Sequence, residues 1–242
     1  MGKNRLTKMD KPFLFVGLDY DNPSKVVEFA EELAEVNDDR FGYKLNLDFI
    51  INSVLTGNCE PFEKIMGLGR PIFTDLKMWN GKRTMTSIVN ELVKRDVSYF
   101  NIYALADKPF LEAVVNATQG TNTKALGVTV LTHYDNDYCQ RMRGCSLPKA
   151  VRKDAETAYN AGCHGIILPG TMLSEVEDLP VEKLVPAVRP AWYGLTGDNW
   201  QKQETLVKDA IKGGANLLVC SSPIRKSENR KEALIKTLNE IY

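Results

Sequence analysis

Short segments dense in Val, Ile, Leu and Phe recur along the chain, and each is followed by a longer stretch whose apolar positions return every three or four residues. Brief apolar runs mark strands and a period near 3.6 marks amphipathic helices, so the alternation predicts about eight βα units. Strands are expected at residues 13–20, 41–49, 71–78, 98–105, 125–131, 165–168, 184–188 and 217–219. Most are apolar at consecutive rather than alternate positions, as strands buried on both faces are. Asn22-Pro23-Ser24 opens the first helix before Val26, Val27, Phe29, Ala30 and Leu33, supplying a cap and an early proline. Further helices are expected at 84–94, 109–116, 148–161, 204–212 and 228–241. The interval 51–69 reads as one helix broken near Gly57.

Eight βα units in 242 residues match the size of a closed α/β barrel, the (β/α)8 or TIM barrel, which folds as one domain covering residues 1–242. A doubly wound open sheet is the rival architecture, and it calls for a GxGxxG turn after the first strand. Here that turn reads Asp19-Tyr20-Asp21-Asn22-Pro23.

Composition and charge narrow the picture. With 43% hydrophobic and 26% charged residues, the chain has the make-up of a globular protein and not of a disordered or fibrous one. Lys plus Arg equals Asp plus Glu at 31 each, so no overall basic field collects nucleic acid or an anionic membrane, and an anion must be caught locally. The cysteines, 59, 139, 145, 163 and 220, are odd in number and lack a CxxC pair, which argues against a disulfide framework or a zinc site. They read as small buried hydrophobes in a reducing, cytoplasmic setting, with Cys220 nearest the expected site. Residues 1–11 are charged and carry no apolar h-region, and no later apolar run approaches bilayer-spanning length.

A barrel of this kind carries its chemistry at the C-terminal ends of its strands. Asp19 ends the first strand, Lys44 lies inside the second, and Asp75 and Lys77 lie near the end of the third. Strand alternation gives Asp75 and Lys77 one face, and two charges inside an apolar strand imply an inward, paired arrangement. Strands one to three are neighbours in a barrel, so Lys44 reaches Asp75 from one side and Lys77 reaches it from the other. Such a chain of alternating charge keeps the lysines protonated and the carboxylates ionised, which presets a proton donor beside a fixed negative charge. A purely structural ion-pair network is the plainer alternative. His133, after Thr132, is either an acid or base at the barrel mouth or an ordinary loop residue, whereas His164 precedes a strand at the opposite end and reads as structural. Trp79 and Trp192 cover the mouth, pack at a dimer contact or join the core. The acidic run Glu31, Glu32, Glu35, Asp38 and Asp39 reads as a solvated helix face and its exit.

Asp75-Leu76-Lys77 followed by Asn80 and Thr84 resembles the DxKxxD...T signature of the orotidine 5'-phosphate decarboxylases. Gly17-Leu18-Asp19 is similar to that family's first-strand LD, and Tyr43-Lys44-Leu45 to its second-strand YKV. Val128-Thr129-Val130-Leu131-Thr132 is similar to its TVLT on strand five, and Pro186-Ala187-Val188-Arg189-Pro190 to its PGIRP on strand seven. Gly197-Asp198-Asn199 stands where GDQ is expected, and the matches run in order over nearly the whole chain. The resemblance implies conversion of orotidine monophosphate to UMP and CO2 without metal or organic cofactor. On that reading Asp75 crowds the departing carboxylate, while Lys77 neutralises the developing carbanion and protonates the ring carbon. Lys44 and Asp19 hold ribose hydroxyls, Lys44 also fixes Asp75, and Thr132 faces the pyrimidine edge. Thr84 and Asn80 reach across a two-fold interface, which implies a homodimer with shared active sites.

Three departures stand out. Asn80 replaces the second aspartate of the signature, keeping a hydrogen-bonding shape without charge. On strand eight the family's VGRP phosphate loop reads Cys220-Ser221-Ser222-Pro223 and lacks its guanidinium, which leaves Arg225, Arg189, or the serine hydroxyls with backbone amides, as candidates to hold phosphate. Ala187 replaces a glycine, and the segment 191–196 is longer. Two other functions stay open. One is a ribulose-phosphate type of barrel, such as a hexulose-phosphate synthase, in which a metal stabilises an enediolate. Lys44 argues against it, because those relatives carry a carboxylate on the second strand, and Asn80 removes another metal-binding carboxylate. The other is a nucleotide-binding barrel without turnover and with a regulatory role.

Overall fold

The computed structural model describes residues 12–196 and 201–241. Eight parallel strands close into a barrel: Phe13–Gly17, Phe41–Asn46, Ile72–Met78, Tyr99–Tyr103, Lys124–Val128, Gly165–Ile167, Glu182–Val185 and Leu217–Cys220. Each pairs with its neighbours in sequence, and the first closes on the last with Phe13 opposite Leu217 and Val16 opposite Cys220.

The unbroken apolar runs are explained by two separate cores. Phe13, Phe15, Phe73, Tyr99, Leu126, Val128, Ile167, Leu184, Leu217 and Val219 fill the barrel interior. Alternate positions, such as Leu14, Val16, Tyr43 and Leu45, face outward and pack with Val26, Phe29, Leu33, Phe62 and Ile65 of the helical layer. Phe15 lies at the centre of the inner core, with its ring 5.7 Å from Phe73 and 5.6 Å from Tyr99. At the N-terminal end the interior is closed by a polar plug, in which Glu182 accepts from Tyr99 Oη at 3.1 Å and pairs with Lys124 at 2.6 Å. His164 sits beside this plug, its Nδ1 accepting the Ala125 N–H at 3.1 Å.

Helix Pro23–Ala34 begins as the sequence predicts, with Asn22 accepting from the Ser24 N–H. Elsewhere the boundaries move for identifiable reasons. The second strand stops at Asn46 instead of 49, because Phe49 and Ser53 face the core at helical spacing and helix Leu47–Thr56 takes over the apolar run. Gly57, at φ 66°, ends that helix in the left-handed region, and Glu60–Gly67 follows as a separate helix. The seventh strand is Glu182–Val185, earlier than expected. Ala187, at φ 58°, turns the chain out of the barrel, so that Val188–Arg189 pairs instead with Thr205–Leu206. The helix expected from 204 consequently starts at Val207.

Two parts of the helical layer depart from the expected pattern. The sixth strand is followed by the 3-10 segment Gly170–Val176. Helix Asn136–Arg143 is not anticipated, because it buries Cys139 alone among its residues and shows no apolar stripe. Among the described residues no helix is long and apolar enough to cross a membrane.

Candidate active site

At the C-terminal mouth of the barrel a cavity of about 460 Å³ is lined by residues from most of the strands. Asp19, Lys44, Asp75 and Lys77 converge on one side of it. Lys44 Nζ lies 2.9 Å from Asp19 Oδ1 and 3.6 Å from Asp75 Oδ2, and Lys77 Nζ lies 2.6 Å from Asp75 Oδ1. The order Asp19, Lys44, Asp75, Lys77 is therefore a continuous chain of alternating charge drawn from three adjacent strands.

Each charge is held by its neighbours. Burial would raise the Asp75 carboxyl, but Lys44, Lys77 and hydrogen bonds from Lys77 and Asn101 hold it below the usual carboxylate range. Burial opposes ionisation of Asp19 too, and Lys44, the Ser221 hydroxyl and Arg225 outweigh it. Lys44 is only 7% exposed, and burial opposes its charge; the two carboxylates outweigh this and raise its pKa above the ordinary lysine value. Asp19 and Lys77, each with about a third of its side chain exposed, are the two ends of the chain that face the open cavity.

The third strand is irregular where it carries this chemistry. Thr74 pairs with Phe100 but Met78 pairs with Ile102, so Asp75, Leu76 and Lys77 all stand opposite Asn101. Lys77 adopts φ 46°, a left-handed conformation that costs a non-glycine residue about 1–3 kcal/mol. Asn101, 1% exposed, meets both irregularities: its Oδ1 accepts the Lys77 N–H at 2.5 Å and its Nδ2 donates to Asp75 Oδ1 at 2.7 Å. Asn46 completes the first-strand side, donating to Asp19 Oδ1 at 2.8 Å and contacting Lys44 Nζ.

The opposite side of the cavity is built differently. Ser221 and Ser222 line it at the end of the eighth strand, and Ser221 Oγ donates to the Gly17 carbonyl at 3.1 Å. Gly17 permits this close approach, since a Cβ there would lie 2.8 Å from Ser221 Cβ. Arg189 also lines the cavity, but its guanidinium is bound to Glu204, with Nε and NH2 at 2.8 and 2.6 Å from Oε1 and both side chains buried. Its charge is thereby matched within the wall of the cavity. Glu204 in turn accepts from Thr196 N and Oγ1, so the pair anchors the loop that follows the seventh strand. Arg225 does not line the cavity; it stands behind Asp19 with its guanidinium 5.2 Å from the Tyr20 ring, and its buried Nε has no hydrogen-bond partner among the described residues.

Thr132 is at the mouth as expected, and its hydroxyl donates to Gln201 Oε1 at 2.6 Å. Gln201 Nε2 lies 3.2 Å from His133 Nε2, and desolvation together with Lys77 holds the His133 imidazole below its usual pKa. Asn80 and Thr84 are not in this cavity. Asn80 is exposed on the neighbouring flank, where its Oδ1 accepts the Gly81 N–H, and it borders an apolar groove of about 610 Å³. Leu47, Ile51, Val54, Trp79 and Ile88 line that groove and are all substantially exposed. Asn199 lies outside the described residues.

Asn46, Asn101, Gln201 and Glu204 were not singled out from the sequence. A signal existed for the first two: each is an amide inside an apolar strand, and Asn46 is two positions from Lys44 on the same face. The other two lie on a loop whose return to the mouth no local pattern announces.

The family model described as Orotidine 5'-phosphate decarboxylase / HUMPS family matches residues 12–237. A relative from Methylacidiphilum infernorum (isolate V4) named orotidine 5'-phosphate decarboxylase is 27% identical over 236 residues, covering 93% of this chain and 96% of its own. One of the same name from Nautilia profundicola is 25% identical over 228 residues, with 91% and 96% covered. Among solved structures, the orotidine 5'-phosphate decarboxylase from Lactobacillus acidophilus superposes with a TM-score of 0.78 at 20% identity, covering 96% of this chain and 99% of that one. The orotidine 5'-monophosphate decarboxylase from Methanocaldococcus jannaschii, complexed with inhibitor BMP, gives 0.71 at 17% identity, covering 95% and 97%.

Proposed function

Because the chain belongs to the orotidine 5'-phosphate decarboxylase / HUMPS family, we propose that it converts orotidine 5'-monophosphate to UMP and CO2 with side-chain electrostatics and no cofactor. The observation that carries this reading is the ammonium of Lys77 held 2.6 Å from the ionised Asp75 at the open mouth, with Lys44 behind it. The bond between ring carbon and carboxylate breaks, CO2 leaves, and the electron pair stays on the ring carbon. Lys77 stabilises that pair and delivers its proton to it, then recovers a proton from solvent. Asp75 opposes the substrate carboxylate by like charge and keeps the Lys77 ammonium aimed.

The remaining groups orient the nucleotide. Asp19 and Lys44 take ribose hydroxyls, and Thr132 with Gln201 takes the pyrimidine edge. Ser221, Ser222 and the backbone beside them, helped by Arg225 at longer range, take the phosphate. A homodimer with shared sites belongs to the same reading. The groove beside Asn80 presents Leu47, Ile51, Val54, Trp79 and Ile88 to solvent, and a second copy seated there would cover them and bring Asn80 and Thr84 toward the neighbouring cavity.

The test is loss of orotidine monophosphate ultraviolet absorbance on addition of the protein, with and without EDTA, for wild type and Lys77→Ala. The reading expects turnover insensitive to chelation and abolished in the variant. Metal-dependent turnover of a pentulose phosphate, or UMP binding without any turnover, overturns it.

A further inference from the structure

We infer that Asn101 is a positioning residue whose single carboxamide sets both the Asp75 carboxylate and the Lys77 backbone. The inference rests on the decarboxylase reading for its kinetic consequences, but the geometry beneath it is independent of any substrate. A regular parallel ladder pairs residues one for one, whereas here three residues of the third strand face one residue of the fourth. The extra residues leave a backbone N–H of the third strand without its ladder partner, and an orphaned buried donor is costly. Asn101 Oδ1 takes that N–H, which belongs to Lys77. The same amide has one other end, and its Nδ2 donates to Asp75 Oδ1, the oxygen that also receives Lys77 Nζ.

The chemistry of an amide is what the position requires. It presents an acceptor and a donor at once, and at 1% exposure no water substitutes for either. An aspartate is the same shape but, ionised, only accepts. It keeps the bond to Lys77 N, loses the bond to Asp75, and places a third carboxylate in the cluster. The groups that face Asp75 and its partner are Asp19 from the first strand, Lys44 from the second, Lys77 from its own, Tyr103 from the fourth and His133 from the loop after the fifth. Of these only the two lysines carry positive charge. Protonation of a carboxyl at position 101 restores a donor toward Asp75, so Asn101→Asp is a switchable version of the clamp.

The experiment compares wild type, Asn101→Asp, Asn101→Ala and, as a control for strand packing alone, Ile102→Val. Cooperative unfolding identifies the folded variants. For orotidine monophosphate turnover, Asn101→Asp is expected to lose about 10²-fold in kcat at neutral pH with little change in KM, as a small misplacement of reacting groups does. Its kcat then recovers by up to about tenfold per pH unit on acidification, a recovery that wild type and Ile102→Val do not show. A folded Asn101→Asp variant with wild-type kcat, or one whose loss is the same at every pH, overturns the inference. A second measurement needs no turnover: the Asp75 carboxyl carbon, followed by NMR on labelled protein, should titrate at higher pH in Asn101→Ala than in wild type, because a donor to the charged form has been removed. An unchanged Asp75 titration overturns the inference. If wild type itself consumes no orotidine monophosphate, it is the decarboxylase reading that fails, and the Asp75 titration still decides the role of Asn101.

Discussion

The two halves of the cavity solve the problem of buried charge in opposite ways. On the side of the first three strands, Asp19, Lys44, Asp75 and Lys77 balance one another in a line, and Lys77 is left facing the open space. On the side of the seventh and eighth strands, Arg189 is matched by Glu204 inside the wall, and hydroxyl groups face the cavity. Both halves keep their ions paired, as low-dielectric surroundings demand. The difference lies in what remains available to a ligand. One half offers a protonated amine held by a fixed carboxylate, and the other offers weak neutral donors beside a loop anchor. On the proposed reading, chemistry belongs to the first half and tolerance of the ligand's far end to the second.

The strongest way to break this contrast is to remove the exposed amine. Lys77→Ala should lower orotidine monophosphate turnover by about 10³-fold or more, with thermal unfolding close to wild type because the side chain is partly exposed. Equal turnover in the variant would place the chemistry elsewhere.

Lys44→Ala acts instead on the pairing itself. It leaves Asp19 and Asp75 with no cation between them, and should destabilise the fold by about 3–5 kcal/mol in urea titrations at neutral pH. The pH dependence follows from the directions of the shifts. Asp19 and Asp75 are depressed in the fold, so the stability they contribute is complete above their unfolded value near about 3.9 and is lost as pH falls through their folded values. Lys44 is raised, so its contribution is present below about pH 10.4 and is lost as pH rises through its folded value. The difference between wild type and Lys44→Ala should therefore be flat across neutral pH and shrink at both extremes.

A smaller change sharpens the contrast from the other side. Ser222→Arg restores a guanidinium to the wall, and should improve binding of UMP relative to uridine by about tenfold in calorimetry, without altering uridine binding itself. The smallest effect concerns the backbone. Ala187→Gly relieves a left-handed alanine but loosens the unfolded chain, so the unfolding free energy should change by no more than about 1 kcal/mol.

Much of this is legible in the residues alone. Strands buried on both faces betray themselves by consecutive apolar residues, which is why the barrel could be read from the pattern of Phe13 to Val16 and Leu217 to Val219. Asp75 and Lys77 were visible because charge inside such a strand has to be answered by charge. The partner of Arg189 was not visible, because Glu204 is 15 positions away and only the fold brings the two side chains together. The second strand was read too long because Leu47, Phe49 and Ile50 are as apolar as strand residues, and only their packing reveals a helix.

The sequence by itself determined the closed barrel and the strand ends that carry charge, since each is a matter of residue type and period. The tertiary structure alone decided that Asn101 faces three residues of its neighbour, that Arg189 is neutralised and that Asn80 turns to the outer flank. Those depend on register and on which distant chain segments meet, and a local pattern of side chains contains no distance between strands.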